Sequence, residues 1–273
     1  YFKTPLRMSF AGGGSDIKTY YQRGKGAVVS TTVDKYVYVM LNKKFDDYIR
    51  VGYSQTEYVH DIDDIGHNIV RETLRKVGGQ SKGLDIVYMA DVLPRKWGTG
   101  LGFSSSLTVG LLNALYHLKG EKISATRLAQ EACEIEIDIL NEPIGKQDQY
   151  AAAFGGLNYF EFNSDETVNV HPINIGKDSI HELNSNLLLF YTGLSSNSNA
   201  VLTDQKINTV RNKSSIKNLD SMVGLAKNLY EDFSSNNYKN FGHRLKEGWN
   251  LKKTLSSKIS SNVIDDYYTK AME

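Results

Sequence analysis

"GTGLGFSSS", residues 98–106, places three glycines within five positions, then a phenyl ring, then three serines. Leu107, Leu111, Ala114, Leu115 and Leu118 follow at i, i+4, i+7, i+8 and i+11, and Gly120 stops the pattern. That spacing predicts a helix whose N-terminus is the glycine–serine run. Glycine lets backbone N–H groups line a concavity with no Cβ in the way, and a helix start adds unpaired N–H donors and the positive end of its dipole. The combination suits a bound phosphate; a Gly-rich turn capped by serine is the alternative. Phe103 is the residue out of place. The commoner nucleotide motifs are missing. None of the pairs Gly24-Lys25, Gly145-Lys146 and Gly176-Lys177 is followed by Ser or Thr, and no G-x-G-x-x-G follows a strand.

Upstream of this loop the chain reads as strands. Residues 2–11 run into Gly12-Gly13-Gly14, "AVVSTTVDKYVYVMLN" (27–42) predicts one or two strands, and "YIRVGY" (48–53) and "GLDIVYM" (83–89) one each. "DIGHNIVRETLRKVGG" (64–79) predicts a helix closed by Gly78-Gly79. Downstream, a helix over about 124–141 ends before Pro143, and "GGLNYFEF" (155–162) returns to strand. Residues 163–185 are polar and poorly patterned, whereas "NLLLFYTG" (186–193) reads as a buried strand opening a second domain. Ile216, Leu219, Val223, Ala226, Tyr230 and Phe233 share one helical face; Tyr238, Phe241, Leu245 and Trp249 share another. Strands first and helices later predict an α+β protein with two lobes, 1–185 and 186–273.

Bulk properties narrow the function. Among 273 residues, 32 Lys plus Arg against 31 Asp plus Glu leave a net charge of +1, with no excess to advertise nucleic acid or an anionic membrane. Cys133 is the single cysteine, so no internal disulfide forms. No apolar run approaches a membrane span. A cytoplasmic protein is expected.

The helix at 124–141 carries a carboxylate on its apolar side. Arg127, Glu131, Glu134, Asp138 and Glu142 fall within a narrow arc, a solvated stripe. Glu136 lies about half a turn away, among Leu128, Ala129, Ala132, Cys133, Ile139 and Leu140. A buried lone carboxylate is costly unless paired, protonated or metal-bound. Glu136 is therefore either paired with an Arg or Lys from a neighbouring strand, or a Mg²⁺ ligand beside the phosphate loop. After Pro143 and Gly145, Asp148 opens a short Ala-rich helix, as an N-cap or as an acceptor of a substrate proton.

Together these stretches resemble the GHMP small-molecule kinases. "PLRMSFAGGGSD" (5–16) is similar to the family's first motif, P-G-[RK]-x-x-x-x-G-E-H-x-D, and "LPRKWGTGLGFSS" (93–105) to its second, P-x-x-x-G-L-G-S-S. The Gly-Gly-Gly-Ser-Asp form of the first motif and the Gln-Asp-Gln around Asp148 look most like the heptose 7-phosphate kinase branch. The resemblance runs from Pro5 to about Lys206.

It implies a two-lobed GHMP-kinase fold, with an N-terminal ATP-binding domain of mixed sheet and helices and a smaller, helix-rich, ferredoxin-like C-terminal domain, truncated here. It implies ATP and Mg²⁺ as cofactors. Gly98, Gly100, Leu101, Gly102, Ser104, Ser105 and Ser106 would bind the nucleotide, Ser104 and Glu136 the metal. Asp148 would be the catalytic Asp and Arg7 its cationic partner. Gly13, Gly14, Ser15 and Asp16 would meet the substrate, with Gly13 and Gly14 replacing the family's Glu-His and freeing space for a larger sugar. The implied reaction transfers the γ-phosphoryl of ATP to the anomeric hydroxyl of D-glycero-D-manno-heptose 7-phosphate, for nucleotide-heptose and surface polysaccharide synthesis. Alternatives are a kinase for fucose, galactose or an N-acetylhexosamine, or a catalytically silent sugar- or nucleotide-binding relative. The expected partner is the sugar phosphate, not nucleic acid or membrane, and a homodimer is compatible. A phosphorylated substrate needs a second cationic site, for which Arg23, Lys25, Arg71 and Arg75 are candidates. The family's third Gly-rich motif has no counterpart in the chain.

Overall fold

The computed structural model describes residues 1–79, 82–92, 100–194 and 198–273. In chain order its strands are β1 (Phe2–Ala11), β2 (Lys25–Lys43), β3 (Ile49–Gly52), β4 (Thr56–Val59), β5 (Leu84–Ala90), β6 (Leu157–Asn163) and β7 (Val168–Pro172). Its helices are α1 (Lys18–Tyr21), α2 (Asn68–Val77), α3 (Phe103–Leu118), α4 (Ala125–Cys133), α5 (Gln147–Phe154), α6 (Lys177–Ser185), α7 (Ser198–Arg211), α8 (Lys213–Ser234), α9 (Phe241–Lys253) and α10 (Asn262–Met272). The predicted α+β character holds.

β2 is one 19-residue strand, and β-branched and aromatic residues dominate it. Its first half pairs antiparallel with β6, Val28 facing Phe160, and its second half pairs antiparallel with β5, Val39 facing Tyr88. β3 runs parallel to β5 and antiparallel to β4; β7 closes on β6; β1 pairs with β2.

Two compact units divide the chain. One is Tyr1–Met8 with Thr32–Gly156; the other is Ser9–Thr31 with Leu157–Glu273. These divisions fall elsewhere than the 185/186 boundary read from sequence, because β6 pairs with the early part of β2, and β7 with β6.

In the first unit, Leu6, Val37, Val39 and Ile86 of the sheet pack with Leu107, Leu111 and Leu112 of α3, all at most 1% exposed. Nearly every residue of α3 from Ser105 to Tyr116 is buried, as expected of a helix that is apolar or small all round. In the second unit, Val29 and Tyr159 pack against Leu225, Leu229 and Phe233 of α8 and Phe241 of α9.

Three sequence expectations change. Residues 163–185 contain β7 and α6. "LLFY" (188–191) is neither strand nor buried: its four side chains are 72–85% exposed. A strand exists only through a hydrogen-bonded partner, and none runs beside this stretch among the described residues. Third, α4 gives way at Glu134 to a π-helical run, Glu134–Ile139, with Leu140 N–H donating to Ile135 O. The wider turns shift the faces, so Ile139, expected inside, is exposed. Glu131, expected on the solvated stripe, is buried; it accepts from Tyr116 Oη at 2.7 Å and Arg127 Nε at 2.8 Å.

Candidate active site

Arg7, on β1, ties three pieces of the first unit together. Its backbone N–H donates to Leu101 O (3.0 Å) and its Nη1 to Gly100 O (2.6 Å). Its Nε and Nη2 both reach Asp148 Oδ1, at 2.7 and 2.6 Å. Asp148 is the second residue of α5, and Lys146 holds the N-cap position, so its carboxylate serves Arg7 and not the cap.

The loop reaches α3 through Gly102, its N-cap, in the left-handed region (φ 74°). A Cβ there would stand 3.3 Å from both Arg7 Cγ and Asp148 Oδ2. Glycine therefore supplies the backbone angle and leaves open the face where the Arg7–Asp148 pair lies. With glycine at the N-cap, no N-cap side chain takes up the first N–H groups of α3. Ser106 is committed elsewhere: its hydroxyl donates to Pro5 O at 2.8 Å and binds the helix to β1.

Glu136 is buried on the π-helical run, 1% exposed. Among the described residues no Lys or Arg pairs with it. Its partner is Gln149, whose Nε2 donates to Oε2 at 2.7 Å. Burial pushes the Glu136 carboxyl up from 4.5 to about 7; Gln149 and the nearby hydroxyls of Ser105 and Ser104 pull it down, and Asp148 adds to the rise. The two serines are close enough to act on the charge, yet Ser105 Oγ and Glu136 Oε1 both lack a hydrogen-bond partner.

Phe103 is the first residue of α3. It packs half-buried against the first unit's core, 6.2 Å from the Tyr88 ring, and Tyr88 stacks on Tyr53. The ring thus extends an aromatic group while its backbone N–H stays at the helix start.

In the second unit, Gly12–Asp16 forms a tight turn. Ser15 Oγ donates to Gly12 O and Ala27 O at 2.8 and 3.0 Å, so its hydroxyl holds the turn against β2. Asp16 Oδ1 accepts from Gly14 N–H at 2.8 Å. Gly14 has φ 106°, and a Cβ on it would lie 2.2 Å from Gln205 Nε2. Lys252 Nζ donates to Gly13 O at 2.9 Å. Side chains of α7 and α9 therefore fill space at Gly14 that the sequence suggested was open.

The family model for the GHMP kinases N terminal domain matches residues 66–156. Residues 66–156 are thus similar to a GHMP kinase N-terminal domain. A "D-glycero-alpha-D-manno-heptose 7-phosphate kinase" of Campylobacter jejuni is 27% identical over 282 residues, covering 99% of this chain and 82% of that protein. The crystal structure of a D-glycero-D-manno-heptose 1-phosphate kinase from Bacteriodes thetaiotaomicron aligns with TM-score 0.79 and 25% identity, covering 92% of this chain and 78% of that one. The Streptococcus pneumoniae phosphomevalonate kinase, solved with phosphomevalonate and AMPPNP, shares the fold at 14% identity, with TM-score 0.74 and coverage of 95% and 81%. The chain is accordingly a phosphotransferase.

Within the first unit, the fold brings Arg7, Gly100, Leu101, Gly102 and Asp148 together, and sets Ser104 and Ser105 near Glu136. Gly98 lies outside the described residues. Gly13, Gly14, Ser15 and Asp16 belong to the second unit. Of the cation candidates, Arg71 pairs with Glu72, Arg75 with Asp63 and Glu72, and Lys25 with Glu161. Sequence reasoning missed Gln149, Gln205 and Lys252. Gln149 had one signal, its place directly after Asp148; the other two had none, since they reach their positions from distant helices.

Proposed function

We propose that this chain transfers the γ-phosphoryl of ATP to the anomeric hydroxyl of D-glycero-D-manno-heptose 7-phosphate. The observation that carries the chemistry is the Arg7–Asp148 pair lying against Gly102 beside the uncapped start of α3. Phosphoryl transfer is mostly positioning and charge neutralisation. The first N–H groups of α3 offer a triphosphate donors fixed before it arrives. Asp148 has Oδ1 taken by Arg7 and Oδ2 toward the open face of Gly102, where it can accept and orient the attacking hydroxyl and hold its proton. Arg7 fixes that carboxylate and brings positive charge to a place where negative charge builds.

The residues fit a Mg²⁺ ion. Glu136 Oε1 and Ser105 Oγ are buried oxygens with no partner, and Ser104 stands beside them. No group of three His, Cys, Asp or Glu that could hold a metal occurs among the described residues. That suits Mg²⁺, which takes one or two carboxylates and completes its shell with phosphates and water. When bound, it would neutralise charge on the phosphates.

The heptose 7-phosphate is supported by the name of the Campylobacter relative, and the Bacteriodes structure's name also carries a D-glycero-D-manno-heptose. The deciding experiment measures ADP release on heptose 7-phosphate, the unphosphorylated heptose, fucose, galactose and N-acetylhexosamines. Turnover of heptose 7-phosphate, with the new phosphate on the anomeric carbon by phosphorus NMR, is expected. Turnover of fucose or galactose without heptose 7-phosphate would overturn the assignment.

A further inference from the structure

Gln149 is 0% exposed and donates its Nε2 to Glu136 Oε2 at 2.7 Å. Only the amide nitrogen can face a carboxylate oxygen, so this contact sets which way the Gln149 amide points. It also sets the carboxylate. With Oε2 engaged, Oε1 has no hydrogen-bond partner among the described residues, nor have Ser105 Oγ and Gln149 Oε1. Three buried oxygens without partners around one carboxylate make a setting that favours an incoming cation.

Gln149 follows Asp148 in the first turn of α5. Neighbouring helix positions point about 100° apart, so one turn sends Asp148 to Arg7 and Gln149 to Glu136. The same short helix thereby fixes two carboxylates for different tasks.

We infer that Gln149 is a positioning residue, holding Glu136 so that Oε1 is presented to the divalent cation. This rests on the metal-dependent kinase reading above. Carboxylates that bind metals are generally oriented by a hydrogen bond of this kind, and losing it typically weakens metal affinity about 10–100-fold.

The test uses the full chain and Mn²⁺ as the probe, with ADP present and no turnover, its affinity read by electron paramagnetic resonance. Gln149→Met keeps the length and removes the donor. It is expected to weaken Mn²⁺ about 10–100-fold and raise the metal concentration needed for activity, with kcat at saturating metal within about threefold of the parent. Gln149→Asn, whose amide stops one methylene short, should show the same split and replaces the Met variant if that one does not fold. Mn²⁺ affinity within about threefold of the parent, in a variant that melts as the parent does, would overturn the inference and leave Gln149 a packing residue. Failure of the underlying reading looks different. The parent chain would then bind no Mn²⁺ with ADP, or Glu136→Gln would bind it as tightly as the parent, and the inference would fall with it.

Discussion

Asp148 Oδ1 accepts two guanidinium nitrogens of Arg7, and its Oδ2 stands against Gly102. Asp148→Asn keeps that shape but removes the charge that would take a proton. A general base contributes about 10²–10⁴-fold, so kcat is expected to fall by that order while Mg-ATP affinity by calorimetry changes little. Undiminished turnover would remove Asp148 from the reaction. Phe103 poses the opposite case. Its ring packs near Tyr88 against the first unit's core, so Phe103→Ser should leave nucleotide affinity unchanged and lower stability by about 1–2 kcal/mol, part of what burying a full ring provides. A large loss of affinity in a folded variant would place the ring in the nucleotide site. Glu136 was legible in the sequence because one charge stood off a regular stripe. Gln149 was not, since a buried neutral amide leaves no mark on a hydrophobic pattern. Lys252 was not either, because its contact with Gly13 spans 239 positions.

At the scale of elements, the start of α2 couples stability to pH. His67 is its N-cap: Nδ1 accepts from Val70 N–H at 3.4 Å, and Nε2 lies 3.0 Å from Tyr88 Oη. Burial pushes the imidazole below its ordinary value, against a smaller opposite pull from Glu57. The folded chain therefore binds fewer protons here than the unfolded one. The stability this gives is present above about pH 6.5 and is lost as pH falls through the lowered folded value. In urea titrations the parent should weaken between pH 7 and 5 more steeply than His67→Asn, which can still cap the helix. Parallel slopes would show that His67 titrates as it does in water. Helix α3 was legible from its leucine spacing and closing glycine. The π-helical run was not: a straight helix through 124–141 put Glu136 on the right face but misplaced Ile139. Wide turns often mark functional sites, and this one carries the buried carboxylate.

Over the whole molecule, local pattern reached the α+β class and the order of elements but not which strands pair. The link between β2 and β6 joins residues 25–31 to 157–163, and nothing in either stretch names the other. The same limit explains 186–193. Its sequence is that of a buried strand, and hydropathy cannot tell whether a partner strand exists. Leu188, Leu189, Phe190 and Tyr191 form a contiguous exposed apolar stretch, a kind of surface that favours association between molecules. Phe190→Lys discriminates between the two arrangements. With the ring in solvent, the change costs no more than a typical surface substitution, within about 0.5 kcal/mol by urea midpoint, and it reduces concentration-dependent self-association in sedimentation velocity. With the ring packed in a sheet, a charge at 190 would be desolvated without a partner, and stability would drop by several times that amount. The exposed geometry predicts the first outcome: unchanged stability with weaker association, because the lysine removes apolar surface from contact between molecules and nothing from the core.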